Sequence, residues 1–253
     1  MHRFRFRVAR VLGIQIWVHA SWFVVLGLAV WAVTAAFGDV LPQLPISERL
    51  VMATVTGFAF FGCLCVHEVA HAVVARRFGV RVRGITLFLL GGVAEIQGEL
   101  PSPGAELAVA LVGPATSVAI GSVLALLAEW AGALGWTGVE AVAFTLALVN
   151  LGVALFNLVP GLPLDGGRIL RAAIWRMTGS FARATAAASL GGRIVAAVLV
   201  AVGIVSAVRG ELTGLWYVPM GVFIWFLARA SARAMPPPVD DRALALTGEG
   251  EAA

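Results

Sequence analysis

The chain has no lysine, two cysteines, and charged side chains at only 13% of its 253 positions. Each scarcity excludes a class of protein. A soluble domain is about half apolar and about a quarter charged. Here 60% of residues are hydrophobic and the mean hydropathy is +0.94, which excludes a soluble enzyme and a disordered chain. Cys63 and Cys65 fall in one apolar run. Two positions apart on a helix they point to different faces and cannot pair, so a disulfide-stapled secreted module is excluded as well. All 18 basic residues are arginine. They are scattered between apolar runs and read as orientation and headgroup contact, not as a nucleic-acid surface.

What remains is a multi-pass membrane protein. Crossing ~30 Å of hydrocarbon takes ~20 helical residues, and the gaps between charges predict six spans, at 17–37, 50–75, 107–128, 141–164, 190–208 and 212–228. The second carries Glu68 flanked by His67 and His71, the fifth carries Arg193, and the sixth is barely long enough. Arg3, Arg5, Arg7, Arg10, Arg76, Arg77, Arg81, Arg83, Arg168, Arg171, Arg176, Arg183, Arg229, Arg233 and Arg242 fall on one side of that arrangement. Only Arg49 and Arg209 fall on the other. The positive-inside bias makes the first side cytosolic, with both termini there, in the plasma membrane of the cell. The first apolar run is long and lacks a small-residue cleavage site, so it is expected to remain as a span.

Two stretches do not read as spans. Residues 85–100 are too short to cross and are broken by Gly91-Gly92. Alternation about a glycine pair predicts a β-hairpin dipping into the membrane from the cytosolic side. Residues 160–167 form a Pro/Gly-rich break that carries Asp165. The expected organisation is a six-span unit over 1–235 with its core at about 50–176, then a flexible tail over 236–253 that has no capacity for a core. The fold class is all-α, with the small hairpin after the second span.

The chemistry is concentrated in His67-Glu68-Val69-Ala70-His71. Positions i and i+4 share a helix face, so both imidazoles can reach one metal ion, and Glu68 stands beside the first ligand as a proton acceptor. Three ionisable groups in five residues of a lipid span are costly, which favours a functional reading over two histidines satisfied by neighbours. A zinc site needs a third protein ligand. Glu95, Glu99 and Glu106 lie near the hairpin, and Asp165 is the carboxylate that ends a long apolar segment on the same side. Asp165 either caps a helix over 166–176 or supplies that ligand; a metal motif short of one ligand favours ligation.

Together, His-Glu-Val-Ala-His in one span and Asn157-Leu158-Val159-Pro160-Gly161-Leu162-Pro163-Leu164-Asp165-Gly166-Gly167-Arg168 in a later one resemble the site-2 protease family of intramembrane zinc metalloproteases. Gly13-Ile14 with Val18-His19, the run from Gly91 to Ala94, and Gly113-Pro114 support the resemblance, which covers residues 1 to about 230. It implies one zinc ion held by His67, His71 and Asp165, with Glu68 as general base and then acid. It also implies that Asn157 contacts the substrate backbone or the oxyanion, and that spans two to four are the core. We expect the hairpin edge at Gly91 and Gly92 to hold an unwound substrate segment as an added strand. The substrate would be a single-span membrane protein in the lipid bilayer, cut in regulated intramembrane proteolysis.

The chain departs from some family members. Residues 129–140 are too few to hold the PDZ domain some carry, and the tail cannot fold as the paired nucleotide-sensing domains of others; the chain is expected to be a minimal form or a shortened one. The competing reading is a transporter or metal-handling protein that uses the same zinc-binding residues, which requires ionisable groups spread along a path through several spans. His19 reads as an interfacial or hydrogen-bonded residue, Cys63 as an apolar position one turn before His67, and Pro114 as a kink in the third span. Trp17, Trp22, Trp130, Trp136, Trp216 and Trp225 read mostly as interfacial anchors.

Overall fold

A computed structural model describes residues 5–88 and 91–233. The tail at 236–253 and Arg3 lie outside the described residues. The elements run β1 (Arg5–Val11), β2 (Ile14–His19), α1 (Ser21–Val40), α2 (Ile46–Arg77), β3 (Arg81–Phe88), β4 (Gly91–Gln97), α3 (Pro103–Ala133), α4 (Thr137–Asn157), α5 (Asp165–Thr178), α6 (Phe181–Val208) and α7 (Tyr217–Arg233). A 3₁₀ turn at Leu212–Trp216 leads into α7.

Among the described residues, six helices are long and apolar enough to cross a membrane: α1, α2, α3, α4, α6, and α7 with the end of the 3₁₀ turn. They carry large apolar side chains facing outward, including Trp31 at 72% exposure and Leu155 at 70%. In water such a surface would aggregate; against lipid tails it is matched. Helix pairs close at small residues, as membrane helices do for want of a hydrophobic drive. A methyl added at Gly57 would lie 2.8 Å from Leu26, and one at Gly121 would lie 3.2 Å from the Ala147 carbonyl. At 32 residues, α2 is about 48 Å long, well beyond the hydrocarbon thickness. It stops after Arg76 and Arg77, where Gly79 takes φ +80, a conformation side chains resist. The α5 helix, with 14 residues, is too short to cross.

The spans follow the charge gaps, with one correction at the start. Trp17 does not open the first helix. Residues 5–19 fold into an antiparallel hairpin, β1 on β2, turned by Leu12 at φ 49 and Gly13 at φ 77. Its sequence alternates with period two, and Ile14, Ile16 and Val18 are buried between half-buried neighbours. That alternation was hidden because β2 runs straight into the apolar α1. The expected hairpin, β3 on β4, pairs Leu87 with Gly92 and Phe88 with Gly91. Parallel pairing of β2 with β3 merges the two hairpins into one sheet of order β1-β2-β3-β4. The sheet is thus twice the predicted size, with β4 at one edge.

Trp22 is a second correction. It is 7% exposed and packs with its ring tilted against Phe61, 4.8 Å between ring centres, so it is a core residue linking α1 to α2. Trp130 and Trp136, by contrast, stand exposed at the α3–α4 turn, 5.4 Å apart, where anchors were expected.

Candidate metal centre

Helical spacing puts the His67 and His71 rings on one face of α2, with their Nε2 atoms 3.1 Å apart. Asp165 comes from α5, nearly a hundred residues later, and its Oδ2 lies 3.3 Å from His67 Nε2 and 3.2 Å from His71 Nε2. All three residues are buried. Asp165 is the first residue of α5, not its cap; Leu164 occupies the cap position without a side-chain bond, which leaves the carboxylate free to face the histidines. Its place at the helix N-terminus favours the ionised form.

The tautomers point the same way. His71 Nδ1 lies 2.6 Å from the Val109 carbonyl. A carbonyl only accepts, so Nδ1 donates, and the neutral ring keeps its free electron pair on Nε2. His67 Nδ1 meets Ser117 Oγ at 2.9 Å. A hydroxyl can accept as well as donate, and with Ser117 accepting from His67 Nδ1 the two imidazole nitrogens and a carboxylate oxygen would present electron pairs to one another at 3.1–3.3 Å. Ligands held 2.0–2.1 Å from a tetrahedral zinc ion stand about 3.3 Å apart. The donor set and its spacing fit that ion, and this is the one metal-capable group among the described residues.

Glu68 is outside the donor set. Its carboxylate lies against the start of β4, where a methyl added at Gly92 would come within 2.6 Å of Glu68 Cγ and 3.2 Å of Oε1. Only glycine lets the strand pass so close. A cavity of about 340 Å³ joins Glu68 and the three metal-capable residues to Gly92, Asn157 and Arg168, and Met220, Phe223 and Leu227 of α7 close one side of it. A second, largely apolar cavity of about 500 Å³ shares Glu68, Gly92 and Asn157 and extends between α1, α2 and α4. Gly91 pairs with Phe88 in the sheet. His19 accepts from Ser21 N and bonds its hydroxyl, and Cys63 is not part of the metal-capable group. Glu106 is fully buried and paired with Arg171, with Arg168 3.9 Å away.

Three contributions from α3 had no assigned role in the sequence. Val109, Gly113 and Ser117 form an i, i+4, i+8 stripe facing the two rings. Val109 and Ser117 hold the Nδ1 atoms, and a methyl at Gly113 would sit 2.1 Å from His71 Nε2 and 2.6 Å from His67 Nε2. Gly113-Pro114 was legible as a mark of the resemblance, but a glycine in an apolar span carries no local sign of what it faces.

The model for Peptidase family M50 matches residues 55–135 and 126–202. A Mycobacterium tuberculosis protein named as a zinc metalloprotease is 41% identical over 224 residues, which are 88% of this chain and 57% of that protein. A Synechocystis protein named likewise is 35% identical over 231 residues, 90% of this chain and 59% of its own. The chain therefore spans somewhat over half the length of these relatives. The solved structure of the site-2 protease from Methanocaldococcus jannaschii shares the fold, with a TM-score of 0.62 at 24% identity over 93% of this chain and 99% of that one.

Proposed function

The chain belongs to peptidase family M50, and on that premise we propose that it is an intramembrane zinc endopeptidase of the site-2 protease type, cutting within or near the transmembrane segment of another membrane protein. The convergence of His67 Nε2, His71 Nε2 and Asp165 Oδ2 beside Glu68 is the observation that carries this reading. Those three residues would hold one zinc ion per chain, and the ion would supply Lewis-acid polarisation of water and of the scissile carbonyl. Glu68 takes the proton of the attacking water and returns it to the leaving amine. Asn157, the last residue of α4, donates its amide to the substrate backbone beside the scissile bond. A helical substrate has its carbonyls bonded internally and must unwind before attack. The β4 edge, opened by Gly91 and Gly92, offers replacement backbone bonds to a segment added as a strand.

The substrate is then a single-span protein, cleaved in regulated intramembrane proteolysis from the cytosolic side of the plasma membrane. Both termini are cytosolic, residues 1–235 form the protease unit, and its core is 50–176. A transporter would need metal-capable groups along a path, whereas the described residues hold one such group at one depth. The direct test is metal removal. Purified chain is expected to contain about one zinc, to stop cleaving a co-reconstituted single-span substrate when chelated, and to recover on zinc addition; cleavage that survives zinc removal would sink the reading.

Two further outcomes are expected. In a background with Cys63 and Cys65 replaced by alanine, Arg81→Cys should resist membrane-impermeant thiol reagents on intact cells and Thr137→Cys should react. The reverse pattern overturns the orientation. Gly92→Ala should push the Glu68 carboxylate aside, since its new methyl falls 2.6 Å from Glu68 Cγ. A displacement of ~1 Å at a reacting group costs up to ~10²-fold in rate, while zinc content stays at the wild-type level because no ligand is touched. Zinc lost together with activity would assign Gly92 to the fold instead.

A further inference from the structure

The proposed three-span core, α2 to α4, leaves α6 without a task, yet α6 is hydrogen-bonded backbone to backbone with the loop that presents Asp165. We propose that α6 is the positioning element for the third metal ligand, acting through Gly191 and Gly192; the inference rests on the reading of His67, His71 and Asp165 as zinc ligands. The contact is backbone against backbone. Leu162 N donates to the Ala188 carbonyl at 3.0 Å, which a carbonyl with two lone pairs can accept besides its helical bond. A methyl at Gly192 would fall 1.8 Å from the Leu162 carbonyl oxygen, one at Gly191 2.5 Å from that of Pro160, and one at Gly161 2.5 Å from Gly192 Cα.

The same loop passes its position on to the ligand. The Gly161 carbonyl accepts from Leu164 N at 3.0 Å, and Leu164 in turn accepts from Gly167 N and Arg168 N at the start of α5. Asp165 is thus three residues from a segment held against α6 with no clearance. The face of α6 toward this region is built for close approach: Ala184, Ala188 and Gly192 recur every fourth residue and are buried. Histidine ligands on α2 are oriented by α3; the carboxylate, on a short helix after a loop, is oriented by α6.

The test titrates metal-stripped, detergent-purified full chains with Zn²⁺ and with Co²⁺, whose absorption reports coordination. Gly203→Ala is the control. Its methyl would press on Val218 of α7 at 2.7 Å, about 16 Å along the helix from Gly192 and away from the loop that presents Asp165. Gly192→Ala is expected to bind zinc about 10–100-fold more weakly, the range for losing support behind a ligand, and to give an altered cobalt spectrum. Gly203→Ala is expected to keep the wild-type spectrum and an affinity within about twofold of it. A merely structural role would weaken both variants alike and leave the spectrum of folded protein unchanged. If Gly192→Ala yields no folded chain, Gly191→Ala carries the same expectations. Wild-type affinity and spectrum in the loop-contact variant overturn the proposal alone; a wild-type chain that binds neither metal overturns the zinc reading and the proposal together.

Discussion

Glu68→Gln is expected to purify with the wild-type amount of zinc and to cleave at a rate lower by ~10²–10⁴-fold, the usual worth of a positioned general base and about 3–5 kcal/mol of barrier. The amide matches the carboxylate in shape, so the packing of Glu68 under Gly92 survives. What is lost is basicity: an amide oxygen does not take a proton from water near neutral pH. The donor atoms of His67, His71 and Asp165 are untouched, and Glu68 is not one of them. Metal analysis beside a cleavage assay on a co-reconstituted single-span substrate checks both halves. Loss of zinc in this variant would make Glu68 a ligand, and retained cleavage would remove it from the proton transfer.

Asp165→Ala is expected to lose zinc and cleavage together. Two imidazoles are a ligand short of the protein set that zinc sites use. The affinity should therefore fall by more than the ~10–100-fold typical of losing an outer partner. Among the described residues the metal-capable group has no fourth member. Asp165→Asn, which keeps size and one oxygen but no charge, should fall between alanine and wild type. Full zinc occupancy in Asp165→Ala, with Glu68→Gln depleted, would reverse the two roles.

The hairpin at the N-terminus illustrates where a linear reading fails. Residues 14–19 alternate buried and half-buried, but their apolar content merges with the helix that follows, and a hydropathy window averages over that junction. Trp22 misled for a related reason: a tryptophan at a span end suits an interface, and only the approach of α2, bringing Phe61 to 4.8 Å, makes it core. Arginine and charge spacing, by contrast, located the helices well, since each unpaired charge is excluded from lipid wherever the rest of the chain lies.

By itself the sequence determined the class and the local geometry. Sixty per cent hydrophobic composition with six uncharged or nearly uncharged runs demands spans, and an i, i+4 pair of histidines shares a face on any helix, because 3.6 residues per turn is a property of the backbone alone. Tertiary structure decided everything that depends on two segments meeting. It brought Asp165 Oδ2 to 3.2 Å from a histidine 94 positions away, set Val109, Gly113 and Ser117 against the ring nitrogens, and laid Gly192 on the loop that presents Asp165. Glycine carries no chemistry that a sequence can display. Its meaning here is a distance at which no side chain fits, and distances between remote segments arise only when the helices pack.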